Sequence, residues 1–155
     1  MRKRVVTAAD EADATTSGEW LDLDALAEVE LTSEDPEHPI ESALVPGGSG
    51  WRAAGPGEQT IRMLFAEPLA IRRIWLEFAE NDVERTQEYA VRASQDGETF
   101  QDVVRQQWNF SPNGSSDQRE DHQVELTGVR ALELSIRPDY TGSPAVASLR
   151  ALRLG

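Results

Sequence analysis

Tyr89-Ala90-Val91-Arg92-Ala93-Ser94-Gln95-Asp96-Gly97-Glu98-Thr99-Phe100-Gln101-Asp102-Val103 decides the fold class. Tyr89, Val91 and Ala93 alternate with Glu88, Arg92 and Ser94, the period of two that turns one face of a strand to a core and the other to water. Asp96-Gly97 is a tight-turn signal, since glycine takes the positive φ that a sharp reversal needs. A strand resumes at residues 100–104. Outward from this hairpin the pattern recurs. Ile61, Met63 and Phe65 share one face of residues 60–65, and residues 71–78 form an apolar-rich strand. Two further strands at 123–126 and 131–136 are separated by Thr127-Gly128, and residues 148–154 close the chain. Upstream, a helical turn is expected near 22–27 and a strand at 28–32. Pro36 and Pro39 then break the pattern, and a glycine-rich loop at 46–50 leads into Trp51. Short strands with turn residues between them and almost no helix predict an all-β antiparallel β-sandwich.

Loop lengths sharpen this expectation. Each connection in an antiparallel sandwich reverses the chain, so successive connections alternate between its two ends. The brief ones at 66–70, 96–98 and 127–128 fall on one end. The longer ones after Trp51 and at 80–86, 107–120 and 138–147 fall on the other, where binding residues concentrate in such scaffolds.

Composition bounds the chemistry. The 155 residues suffice for one core, read as a single domain over 19–155 behind a poorly ordered segment at 1–18. No cysteine is present, which excludes disulfides and thiolate chemistry. The net charge is −13, unevenly spread. Asp10 to Glu41 holds 12 acids and no lysine or arginine, so the N-terminal part is an acidic arm. No basic stripe is available to displace counterions, so nucleic acid is not an expected partner, and neither is a membrane surface. Met1-Arg2-Lys3-Arg4 is followed by no apolar run, which reads as a cytoplasmic protein. Fourteen arginines against one lysine suggest a GC-rich, bacterial source.

At this point the chain resembles the discoidin (coagulation factor F5/8 type C) domains, and among them bacterial carbohydrate-binding modules. Residues 89–103 resemble the family's central stretch, an aromatic-led strand followed by Ser-x-Asp-Gly, an aromatic and a valine. Phe65-Ala66-Glu67-Pro68 resembles its "Phe-x-x-Pro" turn, and residues 129–134 and 148–152 resemble its closing strands. The resemblance implies a galactose-binding-like jelly roll, a non-catalytic role, and a ligand at the long-loop end. It also implies a structural calcium in carbohydrate-binding members, held by an Asp in a glycine-containing loop and a Glu near the C-terminus. Here that loop reads Pro46-Gly47-Gly48-Ser49-Gly50-Trp51, and Arg150 stands where the Glu is expected. Calcium wants anionic oxygens, so no metal and no cofactor are expected.

Six residues are the candidates for a ligand site. Trp108, Asn109 and Phe110 read as a loop in which two aromatics flank an amide, suited to stacking on a sugar ring while the amide fixes hydroxyls. The bland alternative is that both aromatics fold back to plug the sandwich. Arg85 either clamps a ligand or pairs with Glu84 or Asp82. Arg52 and Tyr140 complete the set from neighbouring loops. His38 and His122 share no ligand spacing, and nothing singles out a catalytic pair. The expected function is therefore a non-catalytic binding module for a carbohydrate or similar polyhydroxylated ligand. The alternative is an intracellular protein–protein interaction domain anchored by Trp108 and Phe110. Oligomeric state stays open.

Overall fold

Two strands of 21 residues organise the molecule. A computed structural model describes residues 20–80, 83–111, 114 and 116–155, so the expectation for residues 1–18 lies outside the described part. In chain order the elements are α1 (Leu23–Leu26), β1 (Ala27–Leu31), α2 (Glu41–Leu44), β2 (Trp51–Pro56), β3 (Gln59–Ala79), β4 (Arg85–Ser94), β5 (Gln101–Phe110), β6 (Asp117–Arg137), β7 (Val146–Leu149) and β8 (Ala151–Leu154). β3 and β6 pair antiparallel along nearly their whole length, from Gln59↔Ile136 to Ala79↔Asp117. Their register slips between Leu64 and Arg73, and Gly128 takes φ +63° on the facing strand. The double ribbon bends there, and each half belongs to a different layer. The first half of β3 pairs with β1, and the second half of β6 with β4, which carries β5. The second half of β3 pairs with β8. β2 and β7 form a separate antiparallel pair.

Burial explains the arrangement. Ile61, Met63 and Phe65 before the bend, and Ile71, Ile74, Leu76 and Phe78 after it, are all buried, so one strand feeds the core from both layers. Leu132, Leu134 and Ile136 do the same from β6, while Trp51 and Leu149 close the core from the β2–β7 pair. Pro68 falls in the stretch without ladder partners, where a missing N–H costs no hydrogen bond.

The structure confirms the all-β antiparallel sandwich and corrects the element boundaries. The strands read at 60–65 and 71–78 are one bent strand, as are those at 123–126 and 131–136, so Thr127-Gly128 is a corner and not a hairpin. The stretch read as a loop at 107–120 is mostly strand, since β5 runs to Phe110 and β6 begins at Asp117. The stretch after Trp51, read as a longer connection, is strand to Pro56 and leaves only Gly57-Glu58 before β3; the remaining connections group as expected. Gln95 Nε2 donates to Thr127 O at 2.8 Å, joining the β4–β5 turn to the corner at one end. At the other end Glu80 N donates to Ser116 O at 2.8 Å and Tyr140 N to Thr86 O at 3.0 Å, which brings three connections together.

Candidate functional site

The gathered loops enclose a cleft of about 450 Å³, lined by Glu84, Arg85 and Thr86, by Asn109, Phe110 and Ser111, and by Asp139 and Thr141. Two ladder pairs build its floor, Arg85↔Phe110 and Thr86↔Asn109. Because successive side chains of a strand point to opposite faces, the first pair turns inward and the second outward. Phe110 is 0% exposed, and the Arg85 guanidinium lies 4.7 Å from its ring centroid. Arg85 is 3% exposed. Its Nε donates to Glu80 Oε1 at 2.7 Å, and its Nη1 to Pro138 O at 2.7 Å and to Gln87 Oε1 at 3.0 Å. Gln87 Nε2 continues to Gln118 Oε1, so a buried polar chain ties β4 to the opposite layer beneath the cleft. One arginine thereby fixes two of the three loops around the opening.

Above this floor the surface is polar. Thr86 Oγ1 donates to Asn109 Oδ1 at 2.6 Å, leaving the exposed amide nitrogen of Asn109 free to donate. Asp139 accepts from Thr141 N, Thr141 Oγ1 and Ser143 Oγ. Its carboxyl is held below the usual carboxylate range, chiefly by the Ser143 hydroxyl, so the turn after β6 is fixed by an ionised acid. Tyr140, 49% exposed, stands between the two cleft residues Asp139 and Thr141, and Val83, 45% exposed, sits on the neighbouring connection. Neither histidine lines the cleft. Because no histidine lines the cleft and Asp139 is held ionised, ligand affinity is expected to stay level from about pH 6 to about pH 8; isothermal calorimetry across that range checks it.

The structure brings Arg85, Asn109 and Phe110 into one cleft, with Tyr140 at its edge. It separates the other two candidates from them. Trp108 lies in β5 opposite Gln87, half-buried against the core on the face opposite to Asn109. A ring stacked on Trp108 cannot also reach Asn109, because adjacent strand residues face opposite ways. Arg52 is exposed on β2 opposite Ser148, and its backbone is engaged with His38 and Asp35. The aromatic-loop reading is thus corrected: Phe110 plugs the sandwich and cannot anchor a partner protein. Arg85 does pair with an acid, but with Glu80. Thr86, Asp139 and Thr141 went unmarked in the sequence, although Asp139-Tyr140-Thr141-Gly142 carries the signature of a side-chain-capped turn.

A family model for the F5/8 type C domain matches residues 27–152. The chain belongs to that family. No curated protein sequence matches this F5/8 type C domain. Among solved structures, it is similar to CBM32-3 of a family 31 glycoside hydrolase from Clostridium perfringens, with TM-score 0.66, 17% identity, and 90% of this chain and 96% of that one covered. The C-terminal domain of a chitobiase from Bacteroides fragilis gives TM-score 0.64 and 20% identity over 88% and 96%. CpGH89CBM32-5 from Clostridium perfringens, solved in complex with GalNAc-beta-1,3-galactose, gives 0.60 and 16% over 83% and 94%.

The calcium that the family resemblance implies does not fit this F5/8 type C domain. The carbonyls of the 41–50 segment already have donors: Arg153 Nη1 donates to Ala43 O and Nη2 to Val45 O, each at 3.1 Å, and Gly50 N donates to Ser42 O. Arg150 pairs with Glu77 at 3.7 Å. Among the described residues no three acids or histidines gather as metal ligands. The Arg153 guanidinium beside those oxygens repels a divalent cation, which needs anionic ligands in its place. The loop is also tight. A Cβ on Gly48 would run into the Ser42 carbonyl, whereas one on Gly47 meets nothing, although Gly47 has φ +77°. Gly48→Ala is expected to cost about 1–3 kcal/mol or more through overpacking, and Gly47→Ala about 1 kcal/mol through backbone strain; urea unfolding of both variants checks the order.

Proposed function

We propose that this domain is a non-catalytic carbohydrate-binding module that holds a neutral saccharide in the cleft at its long-loop end. The observation that carries the reading is the chemistry of the rim. The cleft holds an unengaged amide and the hydroxyls of Thr86 and Thr141 above a floor that Arg85 makes rigid, and the exposed Tyr140 lies between its lining residues Asp139 and Thr141 in the chain. Sugars present C–H faces for the ring and hydroxyls for the amide. The similar CpGH89CBM32-5, solved in complex with GalNAc-beta-1,3-galactose, supports the same class. The charge balance selects within it. Arg85 is already matched by Glu80, while Asp139 and Glu84 add negative charge at the rim, so a uronate carboxylate meets repulsion where a neutral hydroxyl finds an acceptor. Catalysis has no support in the cleft: Asp139 is committed to three hydrogen bonds, and no histidine is present to move a proton.

Titration calorimetry against a panel of neutral and uronic oligosaccharides tests this. Binding confined to neutral members is the expected result. Tyr140→Ala and Asn109→Ala are each expected to weaken it about tenfold, or about 1.4 kcal/mol. Full affinity in the double variant rejects the cleft, and the absence of binding to every neutral saccharide rejects the function.

A further inference from the structure

A cavity of about 770 Å³ lies at the opposite end from the loop cleft. It opens between the two layers, where β5 ends one sheet and the first half of β6 ends the other. Among the described residues, β5 pairs only with β4, and residues 117–126 pair only with β3. Each therefore leaves a row of backbone donors and acceptors without a ladder partner. The floor is apolar: Val129 is buried, and Val103, Val124 and Leu126 are packed against the core. Val103 joins it through a bulge, since Val91 pairs with Val104 and Arg92 with Asp102, which leaves Val103 out of the ladder. That bulge interrupts the β5 edge, and the β6 ladder to β3 shifts register between Gln123 and Leu126, so both edges are irregular beside the cavity. The rim carries Asp96, Asp102 and Glu125, and no lysine or arginine lines the cavity. Asp102 is shared with Arg92 at 3.4 Å. Asp96 is pulled down to about 2, first by the Thr99 and Glu98 backbone N–H groups, so its charge persists into strong acid.

We propose that this groove is a docking site for an extended peptide segment of a partner protein, in which a branched aliphatic residue lies next to lysine or arginine. The peptide backbone adds to the β6 edge near residues 122–126, its aliphatic side chain enters the Val103, Val124 and Leu126 floor, and its cations face Glu125 and Asp96. Strand addition supplies affinity from main-chain hydrogen bonds, and the pocket with its acidic rim supplies selectivity. The site is separate from the saccharide cleft and does not depend on it.

Fluorescence anisotropy with a labelled peptide of the sequence of residues 1–9 tests the proposal on the full chain. In that stretch Arg2, Lys3 and Arg4 precede Val5 and Val6. Saturable binding is expected. It should weaken about tenfold when Glu125 is changed to Lys, and similarly when the two peptide valines become serine. It should fall as salt rises from about 50 to about 500 mM. Glu125 is exposed, so the variant keeps its fold, which its thermal unfolding verifies. Tyr140→Ala should leave peptide binding unchanged, which keeps this result independent of the saccharide reading. No saturable binding, or binding indifferent to both Glu125→Lys and the serine peptide, overturns the proposal. Binding that emerges only after residues 1–9 are removed from the protein also overturns it, by assigning the groove to the chain's own segment.

Discussion

Arg85→Leu should lower the free energy of unfolding by about 3–5 kcal/mol and abolish saccharide binding together with it. The Arg85 side chain has no solvent exposure, and three groups rely on it: the Glu80 carboxylate, the Pro138 carbonyl and the Gln87 amide oxygen. Each belongs to a different segment of the loop end. Leucine fills part of the volume over Phe110 but leaves Pro138 O and Gln87 Oε1 facing apolar surface, at roughly 1–3 kcal/mol for each buried acceptor left unmade. Arg85 Nη2 is itself buried without a hydrogen bond, so the arginine gives less than its full donor capacity. A side chain kept under that handicap is kept for what it fixes. Urea unfolding measures the loss. The Arg85→Leu, Glu80→Gln double variant should recover part of it, because the charge left behind is the costliest remnant. A loss below about 1 kcal/mol in the single variant would show that the loops are held by packing alone, as an exposed pair would allow.

The sequence exposes those strands whose buried face is apolar throughout. Ile61, Met63 and Phe65, or Leu132, Leu134 and Ile136, alternate without interruption, and all are buried. The bends were read as turns because the alternation breaks at both, over residues 66–70 and at Thr127-Gly128, and a bend within one strand interrupts the pattern as a loop does. The starts of β4 and β6 were hidden for a different reason. Gln87 and Gln118 are buried and hydrogen-bond across the core, so their stretches count as polar although they are interior. A buried amide looks like a loop residue until its partner is known, and that partner lies on another strand. The candidate site was legible as an end of the sandwich but not as a set of side chains. Trp108 and Phe110 faced inward once β5 reached Phe110, and Asn109 alone of the three faced outward.

Removing Arg153 should cost about 2–3 kcal/mol without making the protein a calcium binder. Its guanidinium bridges the C-terminal carbonyls of α2 to β8 by donating to Ala43 O, Val45 O and Leu152 O. Burial pushes the guanidinium pKa down while Glu77 opposes the shift, and the group stays charged throughout the physiological range. It joins the 41–45 segment to the last strand through a charge tethered to the chain, where the family resemblance implies a calcium. With Arg153→Ala, partly buried carbonyls lose their donors, and the helix end loses a favourable cation. For a chain of this length about 2–3 kcal/mol lowers Tm by roughly 5–10 °C. In the native protein neither calcium nor a chelator should move Tm, because binding to the folded state alone would raise it by mass action. The variant should stay equally indifferent, since removing a cation supplies no carboxylate and Arg150 remains beside Glu77. A native Tm that rises with calcium and falls with chelator would sink the substitution of arginine for metal. A variant that melts with the native protein would show the 41–50 segment to be held by its own backbone bonds, Gly50 N to Ser42 O and Gly48 N to Val45 O.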